Sequence, residues 1–540
     1  MSPLIPLYLC ALLAADSPAR VGITAKRDLE LTQAIELAVR QNVELEIEHV
    51  NQDDARAALE GAKGFSDPKL LWEPGFQSRN IPAVSILDGV NGHLSEHYHT
   101  ENFLFREQTP WYGAGFDIAF ENSRISSGNP FVTLRPFYLT QIALTYTQPL
   151  WRNRETDAAR SLLKVRVREV ELSRADLELK LIDVVARVEQ AYWNLAAARQ
   201  AMEVEREAVD LAEEQMRRDA RRIQAGTLAE IELAASRTEL ARRQDAWYAA
   251  AQIVTEQENA LKRLVCRSVT EPIWGEDLVP VDTPTTVPLP RVDEAVASAL
   301  RSRVELRSIA VRREITQANR KQNANLVKPQ VNLVASYRNQ GLAGTIQSTP
   351  DPLTAVIQPA IENLNVLNRI NGVPDLSVPQ ATSLPDYLSG GYGSSLGNLF
   401  AGRYQTVQVG LQVDLTIRNR AAKAALAQSE IDLRRNSLER SGRELAIAAE
   451  VRDAIEALAI AEQRLAAAKQ GEQAAREKLE SETRLFEGGE STNFLTLTRQ
   501  NEYSAARRRT LIADLDHERA VSRFRQATGE TLRENRVTIE

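Results

Sequence analysis

The sequence predicts a mixed α and β membrane protein in which long antiparallel helices join strands of bilayer-crossing length. Three observations predict it. Landmarks in the first half of the chain recur in the same order in the second half. Each half carries one helical stretch of about 70 residues, a rod of roughly 100 Å at 1.5 Å per residue. Several segments of about 10–12 residues alternate apolar and polar side chains, the length and period of strands that cross a membrane at a tilt. Beyond the N-terminus no stretch reaches the ~18 uninterrupted apolar residues that a spanning helix needs.

Composition agrees with this class. Of 540 residues, 26% are charged and 43% hydrophobic, which excludes a disordered acidic chain and a helical membrane protein. Aromatic residues are only 6%, while Ala, Glu, Arg and Leu dominate long tracts, as in packed helices. The net charge of -7 argues against a nucleic-acid partner. Residues 4–15 form an apolar run that suits a signal peptide, with small residues Ser17 and Ala19 near the expected cleavage and a predicted leader of 1–19. Cys10 follows Leu9, where lipidation expects a small residue. Cys266 is then the single mature cysteine, so no disulfide framework is expected.

The duplication runs as follows. Leu31-Thr32-Gln33-Ala34-Ile35 through Val43-Glu44-Leu45 resembles Val292-Asp293-Glu294-Ala295-Val296 through Val304-Glu305-Leu306. At nearly the same offset Pro68 matches Pro329, Arg152-Asn153-Arg154 matches Arg418-Asn419-Arg420, and Gly226 matches Gly489. The repeats span 28–266 and 291–530. A Pro-rich linker, 267–290, joins them, and 531–540 forms a tail.

Each repeat predicts a first helix (32–64 and 292–327), strands, a long helix (153–224 and 419–486) and a return helix (228–266 and 492–528). Along the first long helix Leu177, Leu181, Val184, Val188, Ala191, Leu195, Ala198 and Met202 recur at alternating steps of four and three. Glu205 interrupts the seam before Val209, Ala212 and Met216. A coiled-coil scaffold has the same periodicity. The first and return helices together match the long one in length, so they stack end to end beside it. Gly226 suits a left-handed helix end, and Thr227 with Glu230 forms a capping box. Gly488 and Gly489 end the second rod, and Ser491 or Thr492 caps its return.

Strands are expected at 68–77, 116–124, 139–150, 329–339 and 404–415. Ile142, Leu144 and Tyr146, then Val331, Leu333 and Tyr337, then Val407, Val409, Leu411 and Val413 occupy one face of their strands. A bilayer-spanning strand and a half-buried soluble strand alternate identically. The helix that approaches the membrane and the one that leaves it require an even number of crossings between them. Asn102 to Gln108 supplies the missing strand of the first repeat, so 101–124 reads as an inserted hairpin, either in the sheet wall or outside it. Open strand edges are not tolerated in hydrocarbon, so strands that span there close only through oligomerisation.

These features resemble the TolC-like outer-membrane efflux channels. Thr147-Gln148-Pro149-Leu150 leads into the long helix, Gln190-Ala191-Tyr192-Trp193-Asn194-Leu195 lies within it and Gly226 ends it. The resemblance implies a homotrimer with four strands per chain, a twelve-stranded barrel in the outer membrane and a helical barrel continuous with it in the periplasm. It also implies a periplasmic adaptor and an inner-membrane RND or ABC pump as partners. The adaptor would meet the turns Ala225-Gly226-Thr227-Leu228 and Gly488-Gly489-Glu490-Ser491. A periplasmic constriction would fall at Asn493, Leu495, Thr496 and Thr498, which lack the acidic pair of some relatives. Glu490 is the nearest acid. The long loop 340–403 would lie outside the cell over the mouth.

Chemistry-bearing clusters are few. His93, His97 and His99 with Glu96 are close in sequence, yet no second cluster completes a metal site. Gly113-Ala114-Gly115 has no following helix and reads as a turn. No catalytic residue, cofactor or metal is expected. Three readings follow: an export duct, a duct dedicated to protein secretion, and a structural coiled coil with a β-rich head.

Overall fold

The computed structural model describes residues 22–82, 92–226, 229–283, 287–347, 352–377 and 384–538. The expected leader 1–19, Thr227 and Leu228 lie outside them. In chain order the elements are β1 (Ala25–Leu29), α1 (Leu31–Gln41), α2 (Val43–Lys63), β2 (Lys69–Pro82), β3 (His93–Gln108), β4 (Gly115–Ser127) and β5 (Leu134–Pro149). They continue with α3 (Ala158–Gln224), α4 (Glu230–Val265), β6 (Glu276–Pro280), α5 (Val292–Ser302), α6 (Val304–Val327) and β7 (Gln330–Ile346). The last are α7 (Pro352–Ile370), α8 (Tyr392–Phe400), β8 (Tyr404–Asp414), α9 (Arg420–Glu487), α10 (Asn493–Thr528) and α11 (Thr531–Glu534). The chain divides into two compact units, each drawn from both halves of the sequence: Met1–Arg56, Arg168–Glu314 and Arg434–Glu540; and Ala57–Val167 and Ile315–Leu433.

The first unit is helical. Its expected seam is buried: Val184, Val188 and Leu195 are fully enclosed, and Leu177, Leu181, Ala191, Ala198, Val209 and Ala212 are nearly so. From Leu181 to Ala198 the seam packs with Leu29, Ile35 and Leu45 of the N-terminal segment and with Val254, Leu261 and Val265 of α4. A second cluster joins Ala295, Ala299 and Leu306 to Ile447, Val451 and Leu458 of α9 and to Val521 and Phe524 of α10. Each fully buried Leu, Ile or Val contributes about 1.5–3 kcal/mol. Glu205, the interruption in the seam, is buried beside Arg508 of α10 in an ion pair.

Three features of this unit depart from the sequence expectation. Each first helix is two helices. Asn42, at φ -67 and ψ 123, breaks one; Arg303, at φ -65 and ψ 124, breaks the other. Asn42 Oδ1 accepts from Glu44 N at 2.9 Å, capping α2, while Nδ2 donates to Leu264 O at 2.9 Å in the last turn of α4. Arg303 donates to Ala527 O at 3.1 Å in the last turn of α10 and pairs with Glu305 and Glu450. Both breaks thus satisfy carbonyls that a helix end leaves free. Neither carries a Gly or Pro, so the pattern alone hides them.

The Pro-rich stretch 267–290 is not merely a linker. Its β6 pairs in parallel with β1. Lys262, 1% exposed, holds it in place: Nζ lies 2.6 Å from Glu258 Oε1 and donates to Trp274 O at 3.1 Å and Glu276 O at 2.6 Å. Two hydrogen bonds and an ion pair thus hold the ammonium, as a buried cation requires. Tyr192 Oη donates to Leu29 O at 2.9 Å and accepts from Val281 N and Asp282 N, each at 3.2 Å. Third, α4 begins at Glu230, slightly after the expected start, with Ala229 at its N-cap; Thr227 of the expected capping box lies outside the described residues. In the tail, Leu532 and Val537 pack on the core and Asn535 Nδ2 donates to Glu189 Oε1 at 2.7 Å.

The second unit holds a six-stranded sheet in the order β2-β3-β4-β5-β7-β8, antiparallel throughout. The inserted hairpin therefore belongs to the sheet as β3 and β4, and the chain supplies six strands where the resemblance implied four. Strand-to-helix turns explain the duplicated Arg-Asn-Arg. Asn153 has φ 67 and Asn419 φ 34, the left-handed region in which Asn is enriched. Asn153 N donates to Asn325 Oδ1 at 3.1 Å, and Asn419 Nδ2 donates to Leu326 O at 2.9 Å.

Glu44, near the start of α2, carries a pH-dependent contribution. Hydrogen bonds from Arg187, at 2.9 and 2.7 Å, and then from Lys180 hold its carboxyl down at about 2. A lowered folded value stabilises above the unfolded value of 4.5 and is lost as pH falls through about 2. The side chain is 41% exposed, so screening limits the gain to about 0.5–1 kcal/mol. Glu44→Gln is expected to lower stability by that amount at pH 7 in thermal melts followed by circular dichroism. The difference from the parent shrinks as pH falls below 4.5.

Candidate functional site: a two-faced sheet and two helical turns

The register across the sheet fixes its chemistry. Residues directly opposite in antiparallel strands share a face. One row crosses all six strands through Leu70, Phe105, Ile118, Leu144, Tyr337 and Val407. All six are apolar or aromatic. The adjacent row, on the other face, is Lys69, Arg106, Asp117, Thr145, Ser336 and Gln408. All six are polar, and Arg106 Nε lies 2.8 Å from Asp117 Oδ1. Successive strand residues point to opposite faces, so a single offset separates a wholly apolar row from a wholly polar one.

The apolar face extends beyond that row. It holds Ile142, Tyr146, Val331, Leu333, Val409, Leu411 and Val413, all expected from the sequence, together with Leu144, Tyr337 and Val407. It also holds Leu70, Trp72, Phe76, Phe103, Phe105, Phe116, Ile118 and Phe120, which sequence reasoning missed. Their signal was the period-two run Phe116-Ile118-Phe120, visible only once the hairpin is placed in the sheet. Trp72 and Phe103 stack with ring centroids 6.3 Å apart.

Toward the other end of the strands the same face turns polar and is covered. Ser395 of α8 hydrogen-bonds to Thr140 Oγ1 at 3.0 Å and donates to Gly341 O at 2.9 Å. Any side chain at Gly341 would collide with α8, since a Cβ there would sit 2.0 Å from Ser395 O. Asn398 Nδ2 bonds Leu342 O and Tyr387 O. α8, within the long loop 340–403, thus rests on the apolar-bearing face, and the first residues of the loop belong to β7. Aromatic groups gather there: the Tyr387 and Tyr404 hydroxyls are 3.2 Å apart, and Arg403 lies over the Tyr387 ring. Residues 348–351 and 378–383 of that loop lie outside the described residues.

The histidines lie in β3, not in a loop. His97 and His99 share the face of Phe76, with the His99 and Phe76 rings 4.8 Å apart. Glu96 points to the other face, where Arg79 Nη2 is 2.6 Å from it. Among the described residues no group of three or more His, Cys, Asp or Glu side chains forms a metal-binding cluster.

The helical turns form the second candidate site. Gly226, at φ 73, follows α3 and donates to Ile223 O at 2.9 Å; Ala225 N donates to Arg221 O. Gly489, at φ 80, donates to Phe486 O, and Glu490 N donates to Leu485 O at 2.9 Å, the paired bonds of a Schellman end. Gly488 N donates to Arg484 O, and Ser491 Oγ donates to Glu482. Thr492 caps α10, its Oγ1 accepting from Leu495 N. Thr496 is buried, Thr498 donates to Phe494 O at 2.8 Å, and Leu495 is exposed. Phe494, 74% exposed, was not anticipated. The side chain of Asn493 lies outside the described residues. Ion pairs tie these helices together: Arg507 to Glu207, Arg508 to Glu205, and Arg464 to Asp516 at 3.1 Å.

Comparison with known proteins agrees with this geometry. The fold is similar to the CmeC outer membrane channel of Campylobacter jejuni, with a TM-score of 0.61 at 14% identity over 93% of this chain and 86% of that one. It is similar to the outer membrane protein VceC of Vibrio cholerae, with a TM-score of 0.58 at 13% identity over 92% and 96% of the two chains. It is also similar to the MtrE outer membrane channel of Neisseria gonorrhoeae, solved in its open state, with a TM-score of 0.57 at 15% identity over 93% and 89%. No curated protein matches the sequence. Residues 141–267 and 377–530, together more than half of the chain, match the outer membrane efflux protein family, and the chain belongs to that family.

Proposed function

We propose that three copies of this chain assemble into one duct, with the sheets closing a barrel in the outer membrane and the helices forming a periplasmic tunnel beneath it. The protein is an outer-membrane exit duct, and export through it is passive, driven by an inner-membrane pump of the RND or ABC type through a periplasmic adaptor. The observation that carries the reading is the six-strand apolar row against its polar neighbour. A sheet with one face for hydrocarbon and one for water is what a water-filled barrel requires.

The helical turns at Ala225, Gly226, Gly488, Gly489, Glu490 and Ser491 are the surface offered to the adaptor, with Thr227 and Leu228 beside them in sequence. Just past the second turn, Leu495 and Phe494 form an apolar constriction, with Thr498 supplying its polar part and Asn493 beside them in sequence. Thr496 contributes through packing. An apolar ring closes a pore by dewetting, with no bound cation needed. The two repeats supply equivalent helices to one tunnel wall.

Two outcomes test this. Leu144→Lys places a cation on the lipid-facing row, a cost of about 2–4 kcal/mol at the bilayer centre. Thr145→Lys places the same charge on the polar face. The first variant is expected to lose most of its heat-modifiable trimer from outer-membrane fractions, and the second to retain it; equal loss contradicts the assignment of faces. At the constriction, Leu495→Ser is expected to raise single-channel conductance in planar bilayers. An unchanged closed state rejects Leu495 as a gate.

A further inference from the structure

The sheet leaves two strands with an unpaired side, β2 and β8. Neither is short or bulged, although β2 carries Lys69, Glu73, Arg79 and two prolines. Edges that stay free are usually short, charged, bulged or covered. β8 has 11 residues, with no Lys, Arg or Pro and only Asp414 as a charge, at its end. Its register with β7 is unbroken from Tyr404 to Asp414. Every residue of β8 is exposed, as is every residue of β2. Val407 is 69% and Leu70 is 72% exposed, although each ends the apolar row. The band therefore reaches both edges undiminished, and whatever covers one edge must continue it.

We propose that β2 of one copy pairs with β8 of the next, so that each copy adds six strands to the wall and a trimer closes an eighteen-stranded barrel. The partner is a second copy of this chain because the two edges complement each other. Both are long and unbulged, and both present apolar residues at the same level of the same face. The proposal rests on the outer-membrane trimer above and sharpens it. All five strand pairs inside the chain run for at least 11 residue pairs, the length of a full crossing. β4 carries the apolar band as fully as β5, and β3 continues it through Phe103 and Phe105, so the inserted hairpin is part of the wall. Pro74 and Pro82 in β2, an even number of residues apart, remove at most two bonds from the seam, the second at the strand's end.

The consequence is bore. With strands about 4.8 Å apart and tilted by about 40°, eighteen strands give a backbone radius of about 18 Å, against about 12 Å for twelve. The enclosed area is then about twofold larger. The β-domain would not be the narrow point for any cargo that a twelve-stranded barrel admits, and selection would fall to the helical end.

Cysteine pairing reads the seam directly. In a chain with Cys10 and Cys266 replaced by alanine, Val409→Cys is combined in turn with Leu70→Cys, Trp72→Cys or Phe76→Cys. A matching set combines Val409→Cys with Phe116→Cys, Ile118→Cys or Phe120→Cys. Oxidation in isolated outer membranes is expected to link neighbouring copies through a β2 pair. Links through the β4 set instead would place β2 and β3 outside the wall and overturn the proposal while leaving the duct intact. Electron cryomicroscopy of the unmodified protein gives an independent count: six strands per copy supports the seam, and four overturns it. A protein absent from the outer membrane, or not trimeric, would overturn the duct as well.

Discussion

In a hydrocarbon layer a peptide group has no water to bond, so every backbone donor and acceptor of a spanning strand needs a partner on a neighbouring strand. That constraint shapes the β-bearing unit. Within the chain it is met at five strand pairs, β2 with β3 through β7 with β8. It is unmet along the outer sides of β2 and β8, which are also the strands whose side chains are most fully exposed. In the proposed barrel the sheet is incomplete in one copy, and its completion by other copies meets the same requirement that keeps irregular backbone out of the bilayer. The apolar and polar rows then acquire their roles together. In that proposed wall the row from Leu70 to Val407 is the one offered to hydrocarbon, and the row from Lys69 to Gln408 the one offered to water.

The helical unit solves a different problem, which is to hold long antiparallel helices without a thick core. It does so with two thin apolar clusters and a set of buried polar joints. Lys262, Tyr192 and Arg303 each spend their hydrogen bonds on backbone carbonyls or carboxylates of neighbouring segments. The joints at Asn42 and Arg303 work alike. Each breaks a first helix and ties it to the last turn of the return helix beside it. Glu205 shows the same economy, since its place in an apolar seam is balanced by Arg508 across the interface.

The long helices were legible in the sequence to within a few residues because their signal is repeated over many turns. The strands β7 and β8 were legible because their alternation is clean. The sixth strand was harder. β3 runs from His93, but outside the apolar band its residues are mostly polar, with Leu94 and Tyr98 on the face opposite the band, so period-two patterning fades over His93–Glu101 and the hairpin read as an insert. The helix breaks were hidden for another reason: Asn42 and Arg303 act through partners more than 200 residues away, Leu264 and Ala527. β1 and β6, five residues each, also depend on a distant pairing and left no local mark. At the turns, Gly226 and Gly489 were plain from residue type alone, whereas the exposure of Phe494 depends on where α10 begins.

The assignment of faces is tested most directly by single cysteines placed one at a time along β4, from Phe116 to Glu121, in outer membranes containing brominated lipid. Phe116, Ile118 and Phe120 share the apolar face, while Asp117, Ala119 and Glu121 share the polar one. Cysteines at the polar positions are expected to react with a membrane-impermeant maleimide. Fluorophores attached at the apolar positions are expected to be quenched by the lipid. Equal labelling and equal quenching at both sets would contradict a barrel wall with lipid on one side and water on the other.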